Sequence, residues 1–377
     1  MGAAAIIPCS TSEITTKNRS QPFSEWRTPT IVGQGHEGSA GKRWSDRLIR
    51  NLPLPASATY SCVAVGERRI SGTRRIGAHW LALVLSIPLV FFVPAPAQAV
   101  IELRHAHGLG YSPDGGRILI PNHYGIAVYS EGRWSRVAGP ALDYMGFVVT
   151  REFIFSSGHA AGSRAAANPL GLMRSGDGGL SWTTLGLKGE GEFHLVAAGY
   201  LSNAVYVYNA EPNSVMPRAG LYRMMGDRLV GWRGAAGRGL QGEPGMLAAH
   251  PTQSAMLAAA TTAGLFLSRN GGEEFEPVMT ASRATAARFT LEGDALLVGT
   301  LEGRKAGLFR IGIKDGLRKE LAPPPFGRDA VANIAQNPVR RAELALISFE
   351  RAVFVSSDAG MTWRRIARAR GTLPGRN

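Results

Sequence analysis

Two stretches of the sequence, Ser175-Gly-Asp-Gly-Gly-Leu-Ser-Trp182 and Ser356-Ser-Asp-Ala-Gly-Met-Thr-Trp363, share the pattern S-x-D-x-G-x-[ST]-W. A third stretch, Ser268-Arg-Asn-Gly-Gly-Glu-Glu-Phe275, is a weaker copy. Equivalent positions recur about every 45 residues, at Ser130, Ser175, Met224, Ser268, Ile311 and Ser356. Repeats of this length built from short strands are typical of a β-propeller. The sequence therefore predicts an all-β fold.

Residues 100–370 hold six such repeats, so we expect a six-bladed β-propeller of four-stranded antiparallel blades. In the fourth repeat, apolar residues bounded by Gly, Pro and Asn predict strands at 245–249, 255–261, 265–268 and 275–279. The shared motif then falls on the hairpin between the third and fourth strands of a blade. Its Ser, Asp and Gly suit a tight turn. We assign a structural role to Ser175, Asp177, Gly179, Trp182, Asn270, Gly272, Ser356, Asp358, Gly360 and Trp363.

The start of the chain predicts export. Residues 66–99 combine an arginine-rich stretch, a short apolar core and Ala97-Gln-Ala99, which is the pattern of a cleaved secretory signal. Residues 1–65 show no periodicity and are interpreted as a disordered or mis-assigned extension ahead of the true start. Both cysteines of the chain lie in that extension, so the mature chain would have none. We expect a periplasmic or secreted protein with no stable membrane span after cleavage and with residues 371–377 as a tail.

Five of the histidines after the signal are predicted to share one face of the ring. In a four-stranded antiparallel blade, the start of the innermost strand and the loop between the second and third strands lie on the same face. In the first three blades these positions carry His105, His107, His123, Asp143, His159, Glu192 and His194. We expect ligand-binding roles for His105, His107, His123, Asp143, His159 and His194. The remaining histidine, His250, falls on the opposite face, where we expect a turn residue.

Two kinds of chemistry fit this face. Imidazole nitrogens bind divalent metals, so a divalent metal ion is the cofactor to test for, with His105, His107 and His194 as its candidate ligands. Glycoside hydrolysis needs two carboxylates on either side of a substrate. Asp143 and Glu192 are the carboxylates predicted beside the histidines and are the candidate catalytic residues. Spacing along the chain leaves open which of these side chains come into contact.

The charge of the chain is basic but dispersed. There are 42 Lys and Arg against 28 Asp and Glu, a net charge of +14. No basic run with interleaved aromatic residues occurs in the repeats, so we predict no nucleic-acid partner. We interpret Arg340, Arg341 and Arg351 of the last repeat as surface residues. The expected partner is a small-molecule, peptide or protein ligand, and the expected state is a monomer.

The repeated motif resembles the Asp-box of bacterial neuraminidase repeats, which sialidases, sortilin-type propellers and photosystem assembly factors of the Ycf48 kind share. A further set of motifs is similar to a family of secreted bacterial propellers called glycosylhydrolase-like: His105-Ala-His107-Gly-Leu109, Asp143-Tyr-Met-Gly-Phe147, Ser157-Gly-His159, Pro169-Leu-Gly-Leu172 and Phe193-His194. This resemblance covers residues 101–370 and implies the propeller fold, but the family name implies no established reaction.

A classical sialidase activity is not expected. Sialidases hold the substrate carboxylate with three arginines, the first in a Phe/Tyr-Arg-Ile-Pro motif, and use a Tyr–Glu pair. The nearest string here is Arg117-Ile-Leu-Ile-Pro121, which has the wrong spacing, and no Tyr–Glu pair can be assigned.

Three functions stay open from the sequence. The first is an exported, non-catalytic propeller that binds a metal ion or a small or peptidic ligand on the histidine-rich face of blades 1 to 3. The second is a glycoside hydrolase-like enzyme that uses Asp143 and Glu192. The third is a periplasmic assembly scaffold whose blade edges bind another protein. The sequence favours the first.

Overall fold

The structure, a computed structural model, describes residue 103 and residues 105–160, 168–224, 231–368 and 371–372. Within these ranges the chain forms strands and turns, and no helix in them is long and apolar enough to cross a membrane. The N-terminal extension, the signal peptide and most of the C-terminal tail lie outside the described residues.

Six antiparallel sheets follow one another along the chain, and each is built from consecutive strands. Blade 1 contains β1 (Gly110–Tyr111), β2 (Ile118–Asn122), β3 (Gly125–Ser130) and β4 (Arg133–Arg136). Blade 2 contains β5 (Leu142–Val149), β6 (Ile154–Ala160), β7 (Leu172–Ser175) and β8 (Thr183–Gly186). Blade 3 contains β9 (Leu195–Ala198), β10 (Val205–Asn209), β11 (Gly220–Met224) and β12 (Trp232–Gly234).

The second half of the ring has the same organisation. Blade 4 contains β13 (Pro244–Ala249), β14 (Leu257–Thr261), β15 (Gly264–Ser268) and β16 (Glu276–Met279). Blade 5 contains β17 (Arg283–Phe289), β18 (Ala295–Glu302), β19 (Lys305–Gly312) and β20 (Arg318–Leu321). Blade 6 contains β21 (Val331–Gln336), β22 (Leu344–Ser348), β23 (Val353–Ser356), β24 (Arg364–Arg368) and the short β25 (Gly371–Thr372). The predicted six-bladed, all-β propeller is confirmed, with one additional short strand at the outer edge of blade 6.

Burial falls from the inside of each blade to its outer edge. Every residue of β2 and β14, the second strands of their blades, is buried, whereas β4, an outermost strand, has no buried residue. This gradient arises because each blade packs face to face against its two neighbours, so its inner strands are covered on both faces. Such strands read as continuous apolar runs and not as alternating ones.

The apolar clusters of the described residues each join two neighbouring blades, pairing 2 with 3, 3 with 4, 4 with 5, 5 with 6, and 6 with 1. Blades 6 and 1 also share hydrogen bonds: the indole of Trp134 donates to the Ile366 carbonyl at 3.2 Å and the Asn337 amide donates to the Gly115 carbonyl at 2.9 Å. Since every described sheet consists of consecutive strands, the described part of the ring closes by side-chain packing without an exchanged strand.

The S-x-D-x-G-x-[ST]-W motifs form the predicted hairpins between third and fourth strands. In blade 2, Ser175 Oγ donates to Asp177 at 2.8 Å and accepts from the Gly179 amide at 2.8 Å. Asp177 also accepts from the amide and hydroxyl of Ser181 at 2.9 and 2.5 Å. The corresponding groups of blade 6 make the same bonds, and Asn270 takes the acidic position in blade 4. These carboxylates are engaged within their own turns.

Candidate functional site

Strand order places the polar residues of blades 1 to 3 on one rim. His105 and His107 precede β1, His123 lies in the turn between β2 and β3, and Glu192 and His194 directly precede β9. Asp143 and His159 are cross-strand partners at the paired ends of β5 and β6. We call this set of five histidines and two carboxylates the histidine face.

The two carboxylates of the histidine face are held by imidazoles in one chain of contacts. Asp143 accepts a short hydrogen bond from Nδ1 of His123, and Nε2 of His159 lies 3.1 Å from the same carboxylate oxygen. Nδ1 of His159 lies 3.3 Å from Glu192, whose other oxygen lies 3.0 Å from Nε2 of His194. A neutral imidazole has one N–H, so both contacts of His159 are hydrogen bonds at once only when the ring is protonated.

The remaining histidines extend this chain toward the propeller axis. The rings of His105 and His123 have centroids 4.4 Å apart, and those of His107 and His194 are 5.8 Å apart. Burial, reinforced by the nearby His194, lowers the pKa of His107 to about 4, so its ring is neutral at neutral pH. Its Nε2 is buried and has no hydrogen-bond partner among the described residues. Such an orphaned polar atom is the kind of group that a bound ligand satisfies.

A cavity of about 420 Å³ occupies the axis of the propeller. We call it the axial cavity, and the innermost strands of all six blades, or the segments that lead into them, contribute to its wall. The lining residues are His105, Ala106, His107, Gly108, Phe147, His194, Leu195, Val196, Gly245, Met246, Leu247, Arg288, Ala332, Asn333, Ser348, Phe349 and Arg351. Three predicted site residues, His105, His107 and His194, thus line it directly. His123, Asp143, His159 and Glu192 do not and lie beside it in the hydrogen-bonded chain.

The shape of the axial wall depends on bulges in the innermost strands. Strands β5, β13, β17 and β21 each show a register shift against their neighbours. A bulge adds one residue and changes the direction of the side chains around it. Gly245 and Ala332, which sit at two of these shifts, line the cavity.

Sequence reasoning missed a serine that connects blades 2 and 3. Ser157 is fully buried; its Oγ donates to the Gly171 carbonyl at 2.8 Å and accepts from the Phe193 amide at 2.9 Å. Phe193 precedes His194, so Ser157 fixes the position from which that histidine enters the axial cavity. The sequence signal for this serine is the Ser157-Gly-His159 motif, of which only the histidine was assigned a role.

Close backbone packing reinforces this junction. Gly146, at the bulge of β5, has φ +49°, and a Cβ there would lie 2.3 Å from the Phe193 carbonyl oxygen. Glycine is required at this position on both grounds, because other residues seldom adopt this backbone region and no side chain fits.

One interpretation of the sequence needs correction. Arg351 is half-buried: it lines the axial cavity from the loop between β22 and β23, and its Nε is buried with no partner among the described residues. Its φ is +69°, so a non-glycine residue occupies the left-handed region; His105, on the same wall, has φ +47°. Such backbone angles cost on the order of 1–3 kcal/mol and cluster at functional sites. Arg288 of β17, which the sequence analysis passed over, also lines the cavity.

The described residues contain no group of three or more His, Cys, Asp or Glu side chains arranged to hold a metal ion together. The metal site at His105, His107 and His194 therefore stays a prediction. His250 lies in the turn after β13, as expected: its Nδ1 accepts from the Gln253 amide at 3.0 Å and its Nε2 donates to the Gly293 carbonyl at 3.0 Å.

The comparisons with known proteins bear on the fold alone. No protein-family model matches the chain, and no curated protein matches it. Among solved structures, a GH74 enzyme from Niastella koreensis is similar with a TM-score of 0.50 and 12% identity, over 71% of this chain and 46% of that one. The chain thus spans less than half the length of that enzyme.

Two other solved structures are similar at lower scores. YCF48 bound to a D1 peptide has a TM-score of 0.42 and 17% identity, over 71% of this chain and 83% of that one. An oligogalacturonate lyase in complex with manganese has a TM-score of 0.45 and 13% identity, over 71% and 78% of the two chains. The six blades define the class of the chain, the β-propellers, and at 12% identity the likeness to the GH74 enzyme concerns the fold alone and no activity.

Proposed function

We propose that this chain is an exported, non-catalytic propeller that binds a small or peptidic ligand in the axial cavity. The observation that carries the proposal is the meeting of the histidine face with that cavity. His105, His107 and His194 line it. A concave site with apolar walls and a few converging polar groups is the usual form of a ligand pocket.

The glycoside hydrolase alternative finds less support in the same geometry. Asp143 and Glu192 do not line the axial cavity, and the ring of His159 lies between their carboxylates. That ring occupies the space where a scissile glycosidic bond would have to lie. Asp143 is also largely buried, with 8% of its side chain exposed. These carboxylates fit a role in orienting imidazoles better than an attack on a substrate.

A substitution series tests the binding proposal. Ligand-observed NMR with a mixed library of peptides and small molecules would be run on the full chain and on the His105→Ala, His107→Ala and His194→Ala triple variant. The matched control is His250→Ala, which removes a histidine from the opposite face. We expect a set of ligands whose signal disappears in the triple variant and persists in the control. A folded triple variant that retains every ligand would refute the proposal.

Two further measurements test the remaining parts of the proposal. Elemental analysis of the full chain, purified without a histidine tag, decides between a metal and an organic ligand. If about one equivalent of metal is bound and is lost in His107→Ala, the ligand of the site is a metal ion and not an organic molecule. Mass spectrometry of the exported protein should find a mature N-terminus at Val100. An intact N-terminus in the cell extract, with no processed form, would refute export.

A further inference from the structure

Two arginines line the axial cavity together with its histidines. Arg288 enters from blade 5 and Arg351 from blade 6, whereas His105, His107 and His194 enter from blades 1 and 3. No carboxylate stands among the residues that line the cavity, and Asp143 and Glu192 lie behind their imidazole partners. The wall therefore carries two positive charges without a negative counterpart.

Neither arginine is neutralised by a described residue. Across residues 103–368 as far as they are described, no side-chain hydrogen bond or ion pair is made by either guanidinium, in contrast to the exposed Arg310 and Arg340, each of which pairs with a carboxylate. Burial lowers the pKa of Arg288 to about 10, which still leaves it charged at neutral pH. Both residues are half-buried and face an open cavity, so an anion that enters the cavity can pair with them.

The backbone of Arg351 is also strained. It occupies the left-handed backbone region, with φ +69°, that glycine adopts freely. A glycine would relax the backbone and remove the unpaired charge. Arginine is thus a less stable choice than glycine at this position, which points to a role of the guanidinium in binding.

The rest of the wall supplies apolar surface and a few neutral polar groups. Val196, Met246 and Leu247 form part of it, Asn333 and Ser348 add neutral polar side chains, and Phe349, 53% exposed, stands on the wall at the loop of blade 6. A ligand that fits has an anionic head and an apolar body.

Resting on the proposed function, we infer that the axial cavity binds an organic anion whose carboxylate or phosphate oxygens pair with Arg288 and Arg351. The planar guanidinium forms paired hydrogen bonds with either oxyanion. The apolar wall covers the carbon chain.

Isothermal titration of the full chain with defined probes tests this inference. Adipate offers two carboxylates, hexanoate one, and hexanamide is the neutral isostere of hexanoate; hexyl phosphate is the phosphate probe. We expect adipate and hexanoate to bind and hexanamide to bind at least about tenfold more weakly, because a charge-assisted pair contributes that much affinity. Tighter binding of hexyl phosphate than hexanoate would assign the oxyanion as phosphate, and the reverse order as carboxylate.

Two single variants locate the site. Arg288→Gln keeps a polar side chain without the charge, and Arg351→Gly keeps the backbone conformation without the guanidinium. Each should weaken adipate binding by at least about tenfold. Arg341→Gln, which removes a charge from the exposed Arg341–Glu292 pair away from the cavity, is the matched control and should bind adipate as the unmodified chain does. Thermal melts should show Arg351→Gly to be as stable as the unmodified chain or more so.

The outcomes separate the two proposals. Adipate binding that equals hexanamide binding, or that is unaffected by both arginine variants, overturns the anion assignment. In that case a library ligand that is lost in the triple histidine variant keeps the proposed function standing. If no anion binds and no library ligand depends on the histidines, both proposals are refuted.

Discussion

The junction between blades 2 and 3 gives a prediction whose magnitude follows from the contacts. Ser157→Ala removes the hydroxyl that bonds the Gly171 carbonyl and the Phe193 amide, and it leaves both backbone groups buried without a partner. Each orphaned group costs about 1–3 kcal/mol, and the alanine methyl group offers no hydrogen bond in return. We expect a loss of about 2–4 kcal/mol in the free energy of unfolding.

The neighbouring serine is the control for this prediction. Ser156 is equally buried, but its hydroxyl only donates to carbonyls of Met145 and Ser157, at 3.2 Å each, and accepts no backbone amide. Ser156→Ala should therefore cost about 1 kcal/mol. Urea unfolding followed by tryptophan fluorescence measures both. Equal losses in the two variants, or a loss below about 0.5 kcal/mol for Ser157→Ala, would show that Ser157 does not join the blades as described.

Two further predictions concern backbone fit and pH. Gly146→Ala should destabilise the fold by well over 1 kcal/mol, because a left-handed backbone strain of about 1–2 kcal/mol is added to a clash with the Phe193 carbonyl. Gly132→Ala is the control, since Gly132 has φ +79° and no atom lies within 4 Å of the added Cβ, so this variant carries the backbone strain alone. Gly132→Ala should therefore lose less free energy of unfolding in urea than Gly146→Ala. Hydrogen bonds from the hydroxyl and amide of Thr362 lower the pKa of Asp358 to about 2, so its contribution to stability is present above the unfolded pKa, near 4, and is lost as the pH falls toward 2. Thermal melts between pH 6 and pH 2 should accordingly fall less steeply for Asp358→Asn, and identical slopes would contradict the prediction.

The repeat period was sufficient to predict the architecture because one structural unit recurs in the chain. Each copy has to bury the same inner strands against its neighbours, so spacing and apolar runs carry the information. The strands expected at 245–249 and 255–261 agree with β13 and β14 to within two residues. The common face of the histidines also followed, since strand order alone decides which end of a blade a residue occupies.

The radial direction of side chains could not be predicted in the same way. Period-two alternation decides whether a strand residue points to the axis, and the bulges in four of the six innermost strands change its phase. Arg288 therefore could not be assigned to the cavity from its position in β17. Arg351 lies in a loop, where a charged residue is normally expected to face solvent, but the backbone of this loop turns its side chain toward the cavity. Contacts such as His159 with both carboxylates depend on distances across blades that no local pattern encodes.

The central claim is that the axial cavity beside the histidine face is a ligand site. A crystal structure of the full chain soaked with a fragment library tests it most directly. We predict fragments in the axial cavity that contact His105, His107 or His194. Fragments that bind only at blade edges, with the cavity filled by its own side chains, would contradict the account.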